Sequence, residues 1–233
     1  MKLALLGYGK MGKTIERLAV EAGHEVVFIK DRANERGDLA EADVAIDFST
    51  PEAAIENISR CIMDGIPIVS GTTGWLKDYD KVLNLCEERN GSFIYASNFS
   101  IGVNLFFGLN EYLAKQMSSW PMYDINIEEI HHTEKKDAPS GTAISLAEGI
   151  IKNTAKEAWQ LDGQGDAVVP IHAKREEDVK GTHEITYSSE IDTISIKHEA
   201  HSRDGFAKGA ILAAQWLQNK KGVFGMKDVL GIE

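Results

Sequence analysis

Fifteen consecutive residues, Glu129-Ile130-His131-His132-Thr133-Glu134-Lys135-Lys136-Asp137-Ala138-Pro139-Ser140-Gly141-Thr142-Ala143, hold two histidines, two lysines and the start of a helix. An imidazole titrates near neutrality and an ammonium beside its substrate can hand over a proton, so His131 and Lys135 are candidate general acids. Pro139 suits the position just before a helix, which makes Ser140 a good N-cap. The amides of Gly141 and Thr142 are then donors at a helix N-terminus, a setting that favours a carboxylate ligand. Adjacent histidines also suggest a metal. Neighbours on a strand point to opposite faces, however, and no Cys or further ligand set accompanies His131 and His132 in the sequence, so no metal is expected. The plainer alternative is a solvated charged loop that caps a helix.

The other chemistry-bearing run is Gly7-Tyr8-Gly9-Lys10-Met11-Gly12. GxGxxG alone is weak, but this one follows an apolar strand and opens a helix. There the glycines let the backbone approach a pyrophosphate that helix-start amides neutralise. Asp31 ends the second strand, where a carboxylate can accept from ribose hydroxyls and so favour NAD. Lys30 and Arg32 flank it, and a cation there would meet a 2′-phosphate, so NADH and NADPH both stay open. Gly71-Thr72-Thr73-Gly74 follows another strand on the side where ligands of such sheets bind.

These residues need elements to position them. Lys2–Leu6, Glu25–Lys30, Val44–Phe48, Ile66–Ser70 and Phe93–Ala96 read as strands, alternating with helices at 13–22, after Pro51 and around 75–89. That alternation predicts a doubly wound parallel α/β sheet, a Rossmann domain. After Ile101 the rhythm changes: a helix over 103–117, a half-solvated strand over 123–130, a helix from Ser140, a loop at 162–166, and strands over 168–173, 184–188 and 193–198. This predicts an inserted α+β domain. The chain turns helical again over 206–217 before a glycine-punctuated tail.

The 233 residues carry 25 Lys and Arg against 36 Asp and Glu, a formal charge of −11, which argues against a nucleic-acid binder that must replace phosphate counterions. No run approaches the roughly 18 apolar residues of a membrane span, and Met1-Lys2 is followed by only four apolar residues before the glycine loop. Cys61 and Cys86 have no paired spacing, as expected of free thiols in a cytoplasmic protein. Of the seven histidines, all but His24 fall in the second half.

The run from Glu129 to Ala143 satisfies every specified position of E-x-H-H-x-x-K-x-D-A-P-S-G-T-A, and on it the sequence resembles the 4-hydroxy-tetrahydrodipicolinate reductase family of diaminopimelate and lysine biosynthesis. The resemblance extends over the Gly7–Gly12 loop, Asp47-Phe48-Ser49, Gly71–Gly74, Ala96-Ser97-Asn98-Phe99-Ser100 and the late segment His201-Ser202-Arg203…Phe206-Ala207…Gly209-Ala210. It implies His131 as proton donor and acceptor, Lys135 as second proton donor, and His132, Ser140, Gly141 and Thr142 as contacts of a small dicarboxylate substrate. It implies Gly7, Tyr8, Gly9, Lys10, Met11, Gly12, Asp31, Gly71, Thr72, Thr73, Ala96, Ser97, Asn98 and Phe99 as contacts of NADH or NADPH. It also implies a Rossmann domain over 1–100 plus 207–233, a substrate-binding and tetramerisation domain over 101–206, and a homotetramer. The chain departs from many members in a short stretch between Asp31 and Asp43 and in Glu134. Two other readings compete. Dehydrogenases of the glucose-fructose oxidoreductase group carry a Glu-Lys-Pro run, whereas Lys135 here is followed by Lys136. A dinucleotide-sensing regulator would keep the glycine loop but has no need of the histidine-lysine cluster. His172, His183 and His198 read as surface or strand-facing residues.

Overall fold

β1 (Lys2–Leu6) buries every residue after Lys2, because it lies inside a parallel sheet with helices on both faces. In the computed structural model, which describes residues 1–32, 34–202 and 204–232, the chain divides into two units, Met1–Ile101 with Asp204–Glu233, and Gly102–Arg203.

The first unit carries a seven-stranded sheet. Its further strands are β2 (Glu25–Asp31), β3 (Asn34–Gly37), β4 (Val44–Asp47), β5 (Ile68–Ser70), β6 (Ser92–Tyr95) and, from the chain's end, β12 (Gly222–Phe224), in the order β12-β6-β5-β4-β1-β2-β3. All neighbours are parallel except β3, which returns antiparallel to β2. The chain runs outward from β1 to β2 and β3, then returns to β4 on the other side of β1. The switch point therefore lies between β1 and β4, where the loops after both strands open a crevice for ligands.

Helices α1 (Lys10–Glu21) and α6 (Asp204–Leu217) cover one face around Leu3, Leu5 and Ile46; α2 (Pro51–Met63) and α3 (Tyr79–Glu88) cover the other around Leu6, Ile58 and Phe93. Pro51 opens α2 at its first turn, and Cys61 and Cys86 are buried free thiols in these two helices. Trp75 precedes the predicted helix rather than beginning it. A 3-10 turn (Leu76–Asp78) intervenes, and the buried indole donates to the Thr72 carbonyl at 2.7 Å. α6 approaches so closely that a Cβ on Gly209 would run into the Phe99 carbonyl. A short α7 (Met226–Leu230) follows β12.

The second unit opens with α4 (Ile101–Met117) and continues through β7 (Asp124–His131), α5 (Gly141–Asn153), β8 (Ala158–Leu161), β9 (Val168–Arg175), β10 (Thr182–Ser188) and β11 (Thr193–Glu199). Its sheet runs β11-β10-β7-β9-β8 and is mixed: β7, β9 and β8 are parallel, and β10 is antiparallel to both its neighbours. The core gathers Ile125, Ile127, Ala143, Leu146, Ile150, Ile171 and Ile185. Strand alternation puts Glu129 and His131 on the same buried face as Ile125 and Ile127, at the C-terminal end of β7.

Four elements escaped the sequence reading. β3 is a polar edge, β8 and β12 are short, and α7 has a single turn or so. No helix among the described residues is long and apolar enough to cross a membrane.

Candidate active site

Register assembles a polar cluster in the second unit. His183 on β10 lies opposite Glu129, and Arg175 on β9 lies opposite His131. Glu129 is fully buried, and both of its oxygens accept from the Ser140 amide at 3.1 Å. The same carboxylate has Arg175 Nη1 at 3.5 Å, His131 Nδ1 at 3.6 Å and His183 Nε2 at 3.7 Å. Burial alone would raise its pKa, but contact with His183, the Ser140 hydrogen bonds and the charge of His131 outweigh burial and hold it at about 2. Ser140 Oγ in turn accepts from the Ala143 amide at 3.2 Å, the expected N-cap of α5, and lies 3.2 Å from His183 Nε2. Glu129 thus fixes where α5 begins.

Around this anchor hangs the loop that carries Lys135. Arg175 donates to the carbonyls of Lys135 at 3.3 Å and Asp137 at 2.6 Å, and the Lys135 ammonium sits between the two Asp137 oxygens at 2.8 and 2.7 Å. Among the described residues the amides of Gly141 and Thr142 make no hydrogen bond, and no acidic residue occupies the first turn of α5. A cationic side chain and two open helix-start donors on one loop make a receptor for a carboxylate. His132 is half-buried beside an open cleft of about 670 Å³, which also takes in Lys180 and His201. Arg203 lies outside the described residues.

His131 is buried, its Nδ1 makes no hydrogen bond among the described residues, and burial pushes its pKa down to about 4 against the pull of Glu129. Unliganded, it is a neutral imidazole at pH 7. The sequence reading gave His131 no companion ligands, but the structure brings Glu129 and His183 to it, with one ligand atom from each within 4.8 Å of the others. Arg175 beside Glu129 already supplies the cation there, and a metal ion would be repelled by it.

His183 was the least legible member. Far from a surface residue, it is 5% exposed, and its ring meets that of His131 edge-on with centroids 5.1 Å apart. No local signal in its sequence announces this. Glu129 did carry a signal, since a carboxylate in phase with Ile125 and Ile127 must be buried and therefore needs partners. Arg175 carried none. His172 pairs with Asp162 at 2.7 Å, and His198 lies half-buried beside Phe106.

In the first unit the loop after β1 is shaped for close backbone approach. Gly7 has φ +95°, and a Cβ there would strike the Phe48 carbonyl; one on Gly12 would strike the Gly7 carbonyl. Gly9, at the N-cap of α1, faces open space, and neither a side-chain cap nor an acidic residue blocks the helix start at Lys10, Met11 and Gly12. This is the geometry a pyrophosphate requires. A cleft of about 750 Å³ runs from Gly7, Tyr8 and Gly9 past Phe48 and Ser49 to Asp31, which is exposed at the end of β2.

Asp47, the last residue of β4, anchors the neighbouring loops. Fully buried, its carboxylate accepts from Ser49 Oγ at 2.7 Å, Asn57 Nδ2 at 3.0 Å, Ser70 Oγ at 2.9 Å and Thr72 Oγ1 at 2.7 Å. Burial raises its pKa despite these four bonds. Thr72 is consumed in this network, also accepting from the Ser49 amide at 2.8 Å, while Thr73 is exposed. A Cβ on Gly71 would meet the Phe48 ring. In the 96–99 loop Asn98 Oδ1 caps the Ser100 amide at 2.9 Å, Ser97 is exposed, and Phe99 is buried edge-on to Phe48.

A binding module has no use for an ammonium and an imidazole beside an open helix start. With a glycine loop at the switch point of a parallel sheet, the class is that of a two-domain oxidoreductase built on a dinucleotide fold. Residues 1–99 match the family described as dihydrodipicolinate reductase, N-terminus, and residues 102–230 match its C-terminus. The 4-hydroxy-tetrahydrodipicolinate reductase of Christiangramia forsetii is 54% identical over 99% of this chain and 98% of its own length. That of Methanococcoides burtonii is 36% identical over 95% and 86%. A dipicolinate-bound dihydrodipicolinate reductase from Paenisporosarcina sp. TG-14 shares the fold with a TM-score of 0.78 over 97% of each chain, at 23% identity. An aspartate dehydrogenase from Thermotoga maritima matches more distantly, at 0.53 over 94% of this chain and 97% of its own. The chain belongs to the dihydrodipicolinate reductase family.

Proposed function

We propose that this protein reduces 4-hydroxy-tetrahydrodipicolinate to tetrahydrodipicolinate with NADH or NADPH, in the diaminopimelate route to lysine. The observation that carries this reading is the Glu129–Ser140 anchor. It presents the open amides of Gly141 and Thr142 on the same loop as the Lys135 ammonium, as a substrate with two carboxylates requires.

Gly7, Gly9, Lys10, Met11 and Gly12 would hold the pyrophosphate, Asp31 the adenosine ribose, and Tyr8, Gly71, Thr72, Thr73 and the stretch Ala96, Ser97, Asn98 and Phe99 the rest of the dinucleotide. The bound cofactor supplies a hydride, and the substrate loses water and takes up a proton. Gly141, Thr142 and Ser140 seat one carboxylate, and His132 contacts the substrate from its cleft. Lys135 gives the proton, because the unliganded enzyme holds His131 neutral. A dianionic substrate beside His131 favours its protonated form, which is how it would share that duty.

Two further readings go with the family. A homotetramer through the second unit is supported by the exposed apolar residues Leu105, Leu109 and Tyr112 on one face of α4. A cytoplasmic location is supported by two unpaired thiols. The test of function couples the purified protein to a synthase that condenses pyruvate with aspartate semialdehyde and follows nicotinamide absorbance. Substrate-dependent oxidation of at least one cofactor is expected, and oxidation of neither overturns the reading.

A further inference from the structure

We infer that the adenosine end of the cleft selects NADH over NADPH, and that Glu35 sets the selection. The inference rests on the assignment of this cleft to the dinucleotide and goes on to name which one.

In this fold class the acidic residue at the end of the second strand accepts from the ribose 2′-hydroxyl, and a 2′-phosphate instead needs a nearby cation. The cleft beside Asp31 is lined by the carboxylates of Asp31, Glu35 and Glu56 and by two cations, Lys30 and Arg32. Lys30, read from the sequence as able to meet a 2′-phosphate, is already engaged: its ammonium lies 3.1 Å from Glu56 and 3.9 Å from Glu35. Arg60 is drawn in as well, with Nη1 at 2.6 Å from Glu35. Arg36 lies over the Tyr8 ring at 4.9 Å. Of these four cations, Arg32 alone makes neither an ion pair nor a ring contact among the described residues. A 2′-phosphate, with close to two negative charges, would find one unengaged cation and three carboxylates, whereas a 2′-hydroxyl can donate to Asp31.

Glu35 outweighs Glu56 for two reasons. It bridges Lys30 and Arg60 together, and its place is fixed by the β2–β3 register, which sets it directly opposite Lys30. Glu56 reaches Lys30 from α2 with a side chain 76% exposed, and solvent weakens such a pair. The discrimination comes from carboxylates that repel the wrong cofactor as much as from one that accepts the right one.

The test measures binding of NADH and NADPH by nicotinamide fluorescence, with 2′,5′-ADP as competitor, and kcat/KM for each cofactor, on the intact chain and on Glu35→Gln. The intact chain should bind NADH about tenfold more tightly, a modest electrostatic preference. Glu35→Gln should shrink the NADH/NADPH ratio severalfold in both binding and kcat/KM, with a matching gain in 2′,5′-ADP affinity. Glu56→Gln should move the ratio the same way by less. Tighter binding of NADPH by the intact chain, or a ratio unmoved in both variants, overturns the inference. Failure to bind either dinucleotide overturns the underlying cleft assignment as well.

Discussion

Asp47 and Glu129 are both fully buried carboxylates near the C-terminal ends of strands, yet their surroundings drive them in opposite directions. Asp47 is caged by three hydroxyls and an amide, with no ion pair among the described residues, and its pKa is raised by burial. Glu129 has two imidazoles, a guanidinium and a backbone amide around it and is held at about 2. The difference separates two ways of building a site. A cage of neutral donors ties the loops after β4 and β5 to α2 through hydrogen bonds alone. An ionic cluster keeps Glu129 charged well below neutral pH and holds a helix start and the Lys135 loop in place.

Replacing the proposed proton donor should give the largest effect. Lys135→Ala should cut turnover by about 100-fold or more, in the range of a lost general acid, while NADH and NADPH still bind; steady-state rates and fluorescence titration check both halves. Glu129→Gln strikes at the ionic hub and should cost about 3 kcal/mol at pH 7 by denaturant unfolding, since it leaves His183 and Arg175 facing a neutral group. The pH trend sharpens this. A carboxylate depressed from 4.5 to about 2 contributes stability above pH 4.5 that is lost as pH falls towards 2, so the cost of Glu129→Gln should shrink over that window. Gly12→Ala should cost about 1–3 kcal/mol and abolish dinucleotide binding, because the added Cβ strikes the Gly7 carbonyl, whereas Gly9→Ala should fold normally. Smallest is Asp47→Asn, about 1 kcal/mol, since its hydroxyl donors can turn. Its pH trend should be the reverse. A raised pKa favours the folded state when the group is protonated, so this cost should grow as pH is lowered. Parallel trends in the two variants would erase the contrast between the hubs.

The glycine loop, the N-cap at Ser140 and the alternation of the first hundred residues were readable because each is local, with its signal in adjacent residues. The partners of Glu129 were not, because His183 and Arg175 reach it only through the strand order β10-β7-β9, which no local spacing encodes. The same holds for Asp47, whose donors come from the loops after β4 and β5, the end of β5 and helix α2. The polar edge strand β3 was missed because Asn34–Gly37 offers no apolar period, although it carries Glu35.

The close approach of Gly209 to the Phe99 carbonyl has a consequence for the order of assembly. The second unit is one continuous stretch, so its sheet can form as soon as residue 203 has left the ribosome. The first unit begins at Met1 but lacks α6 over its core and β12 on its sheet edge until the last thirty or so residues arrive. During synthesis β6 is therefore an unpaired edge and the 96–99 loop has no helix to rest against. The part of the chain made first is the part completed last, and truncation near the C-terminus should harm the dinucleotide fold before it harms the Glu129 cluster.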